Sequence, residues 1–158
     1  MFEQIYAAVR QWGIDRNLHM GATIESQIVK FWEEYGETCA AFARGNKEGI
    51  IDGIGDCAVV LTILNTILEF NPEVGDMEDV SAIFENEIPE VGDARIALIT
   101  IPEYFIGVEE YSIFEAFVAL KEFAQIQGLD FVECFASAYN EIKDRKGKMV
   151  DGVFIKNV

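Results

Sequence analysis

Basic residues are the scarce class in this sequence. Twelve Lys and Arg stand against 28 Asp and Glu, giving the 158-residue chain a formal net charge of −16 at pH 7. Nucleic acid and anionic membrane surfaces are held largely by Lys and Arg neutralising phosphates, so neither is an expected partner for a chain this acidic. Histidine is scarcer still. His19 is the only one, which leaves no histidine metal site or catalytic triad to build and gives His19 a surface or connector place. Cysteine is limited to Cys39, Cys57 and Cys134, widely spaced among apolar or small neighbours. That is the pattern of reduced core thiols, not of a disulfide framework or a zinc-binding pair, and a reducing cytoplasm is the expected location. No glycine loop of the Walker type occurs either.

Long apolar runs are also missing. The opening MFEQIYAAVRQW carries charges throughout and has no run of signal-peptide length, so export is not expected. The longest apolar stretch runs for twelve residues from Cys57 to Leu68 and is interrupted by Thr62, Asn65 and Thr66. A membrane span needs about twenty, so this stretch reads as a buried core helix. What the chain does have is 51% apolar and 12% aromatic residues, which excludes disorder in spite of the charge. Its length suits one domain over residues 1–158, able to bury about two-thirds of its unfolded surface without a disulfide or metal staple.

Helical periodicity dominates. An opening helix is expected from about Phe2 to Trp12, stopping at Gly13, followed by the polar connector IDRNLHMGAT. Thr23 then reads as an N-cap with Ser26 at the N3 position. In the helix it opens, about Ile24 to Arg44, residues Ile24, Ile28, Phe31, Tyr35, Cys39 and Phe42 form one apolar stripe. A turn at Arg44–Lys47 leads to a helix over about Lys47 to Phe70, ended by Asn71-Pro72. A less regular acidic segment follows, with a short helix around Asp79 to Glu85. Further helices are expected at about Ala94 to Tyr104, Ser112 to Gln127 and Phe131 to Lys143. Asp151-Gly152 between Met149-Val150 and Val153-Phe154-Ile155 signals a hairpin. The fold class is therefore all-α, a helical bundle with a small C-terminal β-hairpin.

Two features work against these helices. KFWEEYGET puts Glu33, Glu34 and Glu37 within about one turn, where like charges three or four places apart cost a few tenths of a kcal/mol per pair. Lys30, Glu34 and Glu37 fall together, roughly 90 to 150° round from the apolar stripe at about 100° per residue. On the next helix Asp52 and Asp56 continue the line of Val59 and Ile63, so two carboxylates extend an apolar stripe and require a cation. Two antiparallel helices joined by a short turn can bring both sets together, and Glu34, Glu37, Asp52 and Asp56 supply the hard oxygen ligands that Mg²⁺ takes. Gly36, Gly53 and Gly55 lie among these acids at a helix-propensity cost of about 1 kcal/mol each; they allow either close helix approach or room for a ligand. Lys143, Arg145, Lys146 and Lys148 cluster after the last helix, where they suit either the helix dipole or phosphate oxygens. Lys30 is open to the same phosphate role or to simple pairing with Glu34. Trp12 and Trp32 suit core or interface packing before stacking on a base.

With the acids in place, the stretch from Trp12 to Leu64 resembles the MazG-like all-α NTP pyrophosphatase superfamily. The resemblance is carried by Glu33-Glu34-Tyr35-Gly36-Glu37, which matches an EExxE motif, and by DGIGDCAVVL from Asp52, which matches an acidic pair followed by an apolar run. WGIDRN and QIVKF look like the approach to the first motif, and NEIKDRKGKMVDGVFIKN like the ending of phage-type members. About the first 65 and the last 20 residues are covered; the middle, from about 70 to 130, is not. One departure stands out. Where many members carry Glu three places before the final Asp, this chain has Gly53, and Asp52 is the nearest acid.

The resemblance implies hydrolysis of nucleoside triphosphates, deoxynucleotides foremost, to nucleoside monophosphate and pyrophosphate. It implies Mg²⁺, with Mn²⁺ as a substitute, held by Glu34, Glu37, Asp52 and Asp56, bridging phosphate oxygens and holding the attacking water. Glu33 then orients or deprotonates that water. Lys30, Lys143, Arg145 and Lys146 are phosphate contacts, and Asn140 is a contact to base or sugar. A homo-oligomer, dimer or tetramer, is implied as well. Two alternatives stay open: a pyrophosphatase narrow for dUTP or dCTP, and an acidic helical interaction protein with a vestigial metal site.

Overall fold

A computed structural model describes residues 1–84, 92–105, 112–150 and 153–156. Its architecture is all-α with a small C-terminal hairpin. The helices are α1 (Phe2–Asp15), α2 (Leu18–Gly21), α3 (Ile24–Ala43), α4 (Lys47–Phe70), α5 (Ala94–Thr100), α6 (Ile113–Ile126) and α7 (Phe131–Ile142). Short 3₁₀ turns cover Ser81–Phe84 and Ile101–Phe105. Strands β1 (Gly147–Val150) and β2 (Val153–Lys156) pair antiparallel with Met149 opposite Phe154. The turn expected at Asp151-Gly152 lies outside the described residues, as does Glu85 at the end of the expected short helix.

Local chemistry sets most of these boundaries. Thr23 and Ser26 close a reciprocal capping box at the start of α3. Asn46 caps α4 by accepting from the Gly49 N–H at 3.2 Å. Between the two helices Gly45 takes the left-handed conformation, φ 65°, that a residue without Cβ adopts at no steric cost. Two expectations change. α1 does not stop at Gly13 but runs on to Asp15, because Gly13 is buried against Ile63 of α4. Within the expected polar connector, Leu18–Gly21 forms the short helix α2.

α4 is the axis of the molecule. It packs most extensively on α3, then on α7, α6 and α1. By length and composition it would suit a membrane, but 83% of its most apolar window is buried inside the fold. The polar interruptions of its apolar run are all satisfied. Thr62 and Thr66 donate back to the carbonyls of Ala58 and Thr62 at 2.8 and 2.7 Å. Asn65 donates to the Tyr6 hydroxyl at 2.7 Å and to the Glu78 carbonyl at 2.9 Å, and accepts from the Glu78 N–H at 3.0 Å. That last pair fastens the segment after α4 to the core. Beneath it, Phe2, Phe117, Phe131 and Phe135 bring α1, α6 and α7 together, with the Phe2 and Phe117 rings meeting edge-on at 5.7 Å.

Candidate functional site

A cleft of about 430 Å³ opens between α3, α4, the end of α7 and the hairpin. Its floor is formed by Asp56, Val59 and Ile63 of the stripe foreseen on α4, whereas Asp52, read in the same line, is exposed and does not line it. Glu34 and Lys30 of α3 face it, and Arg145 and Lys156 supply positive charge from the C-terminal side. Trp12, Met149 and Phe154 complete an apolar wall. The cleft thus has a carboxylate end, cations around it and an aromatic end.

Glu34 is nearly buried, its side chain 11% exposed, and Lys30 Nζ lies 2.6 Å from its Oε1. The same ammonium donates to Glu33 Oε2 at 2.8 Å. Burial works against the charge on Lys30, but the bonds to Glu33 and Glu34 outweigh it and raise its pKa. Among the described residues no cation is in hydrogen-bond contact with Asp56. Desolvation first, then the negative charges of Glu34, Asp52 and Glu141, push its carboxyl up to about 7, with Arg145 acting in the opposite direction. Asp56 is therefore a carboxyl whose charged form the site disfavours.

The predicted residues fall into two groups. Lys30, Glu34, Asp56 and Arg145 share the cleft. Asp52 lies one turn along α4 in an adjoining acidic groove of about 460 Å³ with Glu48 and Glu141, close enough to act on Asp56 electrostatically. Glu33, Glu37, Asn140, Lys143 and Lys146 are exposed and are not among the described residues lining the cleft. Lys143 Nζ donates to Asn140 Oδ1 at 3.0 Å, so these two are engaged with each other. Glu141 and Lys156 were not singled out from the sequence. The first is three places after Ala138 on the exposed side of an amphipathic helix, with no local signal; the second is reached only because the hairpin folds back. Gln27, which also lines the cleft, is legible in retrospect at i−3 from Lys30 and i−7 from Glu34.

The glycines divide as well. A Cβ on Gly53 would stand 2.2 Å from Thr38 Oγ1 and 3.1 Å from Thr38 Cα, and one on Gly55 would stand 2.4 Å from the Cys134 carbonyl oxygen. Both mark close helix crossings. Gly36 has no atom within 4 Å of such a Cβ. This accounts for the departure at position 53: a glutamate side chain there would point into α3 at Thr38, so an acid on this turn of α4 has to stand at 52.

As donors, the carboxylate oxygens of Glu34 and Asp56, with Asp52 behind them, fit a hard divalent cation by type. Among the described residues no three His, Cys, Asp or Glu side chains are gathered around one point in the present arrangement, and Lys30 neutralises Glu34 in their place. Trp12 is committed to packing. Its Nε1–H donates to the Ile142 carbonyl at 2.9 Å, and the Arg16 guanidinium lies 4.6 Å over its ring.

No protein-family model matches the chain, and no solved structure matches it. One curated protein is similar over a limited stretch, an uncharacterized 18.2 kDa protein from the rep-hol intergenic region of Haemophilus phage HP1, 42% identical over 62 residues. The match spans 39% of this chain and 38% of that protein.

Proposed function

We propose that the chain is a MazG-like, Mg²⁺-dependent nucleotide pyrophosphohydrolase that converts a nucleoside triphosphate to the monophosphate and pyrophosphate. The observation that carries this reading is the meeting of Glu34 and Asp56, from consecutive helices, in one cleft that also holds Lys30 and Arg145. A carboxylate pair flanked by cations suits an anionic substrate that arrives with a metal. Glu34, Asp56 and Asp52 are the residues that would hold the ion, which when bound neutralises charge developing on phosphate oxygens. Lys30 and Arg145 bind phosphate from either side of the pair. Glu33, expected from the sequence to orient water, stands exposed outside the lining and bears on the cleft through its bond to the Lys30 ammonium. The apolar wall at Met149 and Phe154 gives the uncharged part of the substrate a place away from the acids.

Exposed apolar side chains on α3 and α5, Val29, Trp32, Ile96 and Ile99, are what a second copy would cover in the proposed homo-oligomer. Three free cysteines suit a reducing cytoplasm. The test is incubation with a panel of nucleoside triphosphates and Mg²⁺ with the products resolved. Monophosphate plus pyrophosphate is expected. Diphosphate plus orthophosphate contradicts the reading, and no turnover of any nucleotide, with Asp56→Ala leaving partner binding intact, favours the acidic interaction protein.

A further inference from the structure

Arg16 lies outside both acidic motifs, yet it makes the densest set of long-range polar contacts described in the molecule. Its Nε and Nη2 donate to the Arg145 carbonyl at 2.8 and 2.5 Å, Nη2 also reaches the Lys143 carbonyl at 3.2 Å, and Nη1 donates to the Trp12 carbonyl at 3.1 Å. The guanidinium plane lies over the Trp12 ring. From the same residue, the backbone carbonyl accepts the Met149 N–H at 3.2 Å. One side chain therefore ties the end of α1 to the corner where α7 gives way to β1. A second contact seats the hairpin beside it: a Cβ on Gly21 would stand 2.6 Å from Met149 Cβ, so the strand lies directly against α2.

Four residues that this corner carries, Arg145, Met149, Phe154 and Lys156, line the cleft. Arg145, whose carbonyl is held, is the cation that acts on Asp56; Met149, Phe154 and Lys156 form the wall. We propose that Arg16 is a positioning residue: by clamping the α7–hairpin corner to α1 it holds Arg145 and the hairpin wall against the carboxylates, and so sets the affinity of the cleft for an anionic, metal-bound ligand. The ligand class rests on the pyrophosphohydrolase reading, whereas the clamp itself does not. A guanidinium suits the place because its rigid planar fork spreads over three carbonyls while its face lies on the Trp12 ring; an ammonium has three donors but neither that spread nor that face.

The test uses the full chain in five forms, wild type, R16K, R16Q, R145Q and R16Q/R145Q, each checked for unchanged helicity by circular dichroism. Amide hydrogen exchange over residues 147–156 is read first. R16Q is expected to speed exchange there by about tenfold and R16K by less, with α3 and α4 unchanged. Unchanged exchange in R16Q overturns the clamp. Tryptophan fluorescence then follows titration with Mg²⁺ and an α,β-methylene nucleoside triphosphate, and steady-state kinetics follow turnover. R16Q and R145Q are each expected to raise Kd and KM about tenfold with kcat within about twofold, the double variant falling well short of the product of the two effects. Multiplying effects in the double variant, or a loss confined to kcat, overturn the positioning role. A wild type that binds the analogue but hydrolyses no nucleotide sinks the proposed function while the exchange and Kd series still decide on Arg16. If it binds nothing, the loss or retention of protection at 147–156 alone decides on the clamp.

Discussion

Asp56→Asn is expected to stabilise the protein at alkaline pH in the absence of metal. The carboxyl is raised from its ordinary 3.8 to about 7 by desolvation and by Glu34, Asp52 and Glu141. An acid whose folded-state pKa is raised binds its proton more tightly when folded, so its cost is absent below the unfolded value, grows between 3.8 and about 7, and is complete above that. The shift converts to roughly 4 kcal/mol, and solvent screening of a half-buried group reduces this to about 2. Asparagine keeps the shape and removes the charge. At pH 8 the variant should therefore melt about 6 °C above wild type, and at pH 5, where about a third of the penalty remains, only about 2 °C above it. Lower pH is avoided because the sequence pI is near 4.3. Thermal melts followed by circular dichroism at the two pH values measure the difference. Saturating Mg²⁺ should raise the melting temperature of wild type and leave Asp56→Asn unmoved, reversing the order. A variant less stable than wild type at pH 8, or a gap that does not shrink at pH 5, would refute the reasoning.

The glycines give a paired prediction. Gly55→Ala pushes a methyl against the Cys134 backbone carbonyl and should cost about 2 to 3 kcal/mol in urea unfolding, whereas Gly36→Ala, in open space on an exposed helix face, should gain up to about 1 kcal/mol. Equal effects of the two would show that the crossing of α4 and α7 is looser than described. Asn65→Ala strips three hydrogen bonds and leaves the Glu78 backbone unpaired; a loss of about 2 to 3 kcal/mol is expected, with faster proteolysis after Asn71 as the local readout.

Fold and site were legible to different depths. The ends of α3 and α4 could be read because short-range chemistry sets them: Thr23 with Ser26 at one end, Asn46 beside Gly45 at the turn. The alignment of Asp56 with Val59 and Ile63 could be read from one helix alone, but Asp52, placed in the same line, stands exposed because none of the described neighbours covers that end of the stripe as it does Asp56. What a helical wheel does not supply is the direction from which partners arrive. Glu37 and Glu34 share a flank in projection, yet α4 approaches so that Glu34 is enclosed and Glu37 is left in solvent. Gly13 read as a helix end because propensity outweighed the packing of Ile63 upon it. Arg16 acts through hydrogen bonds to Lys143 and Arg145 far along the chain, Glu141 by its charge across to Asp56, and Lys156 by the return of the hairpin, and no local pattern announces any of these. Gly53 was ambiguous in sequence and became interpretable only with Thr38 beside it.

Within three residues α4 carries two notches cut for different neighbours, Gly53 for α3 and Gly55 for α7. A helix keyed on both sides can neither rotate nor slide without colliding with one of them, so the acids that bracket the notches, Asp52 and Asp56, inherit a fixed direction from residues that have no chemistry of their own. For a lineage this acts as a lock on where acids can stand. A glutamate cannot drift into position 53 by one substitution, because Thr38 on α3 would have to give way at the same time, and the carboxylate at 52 could be released only after that double change.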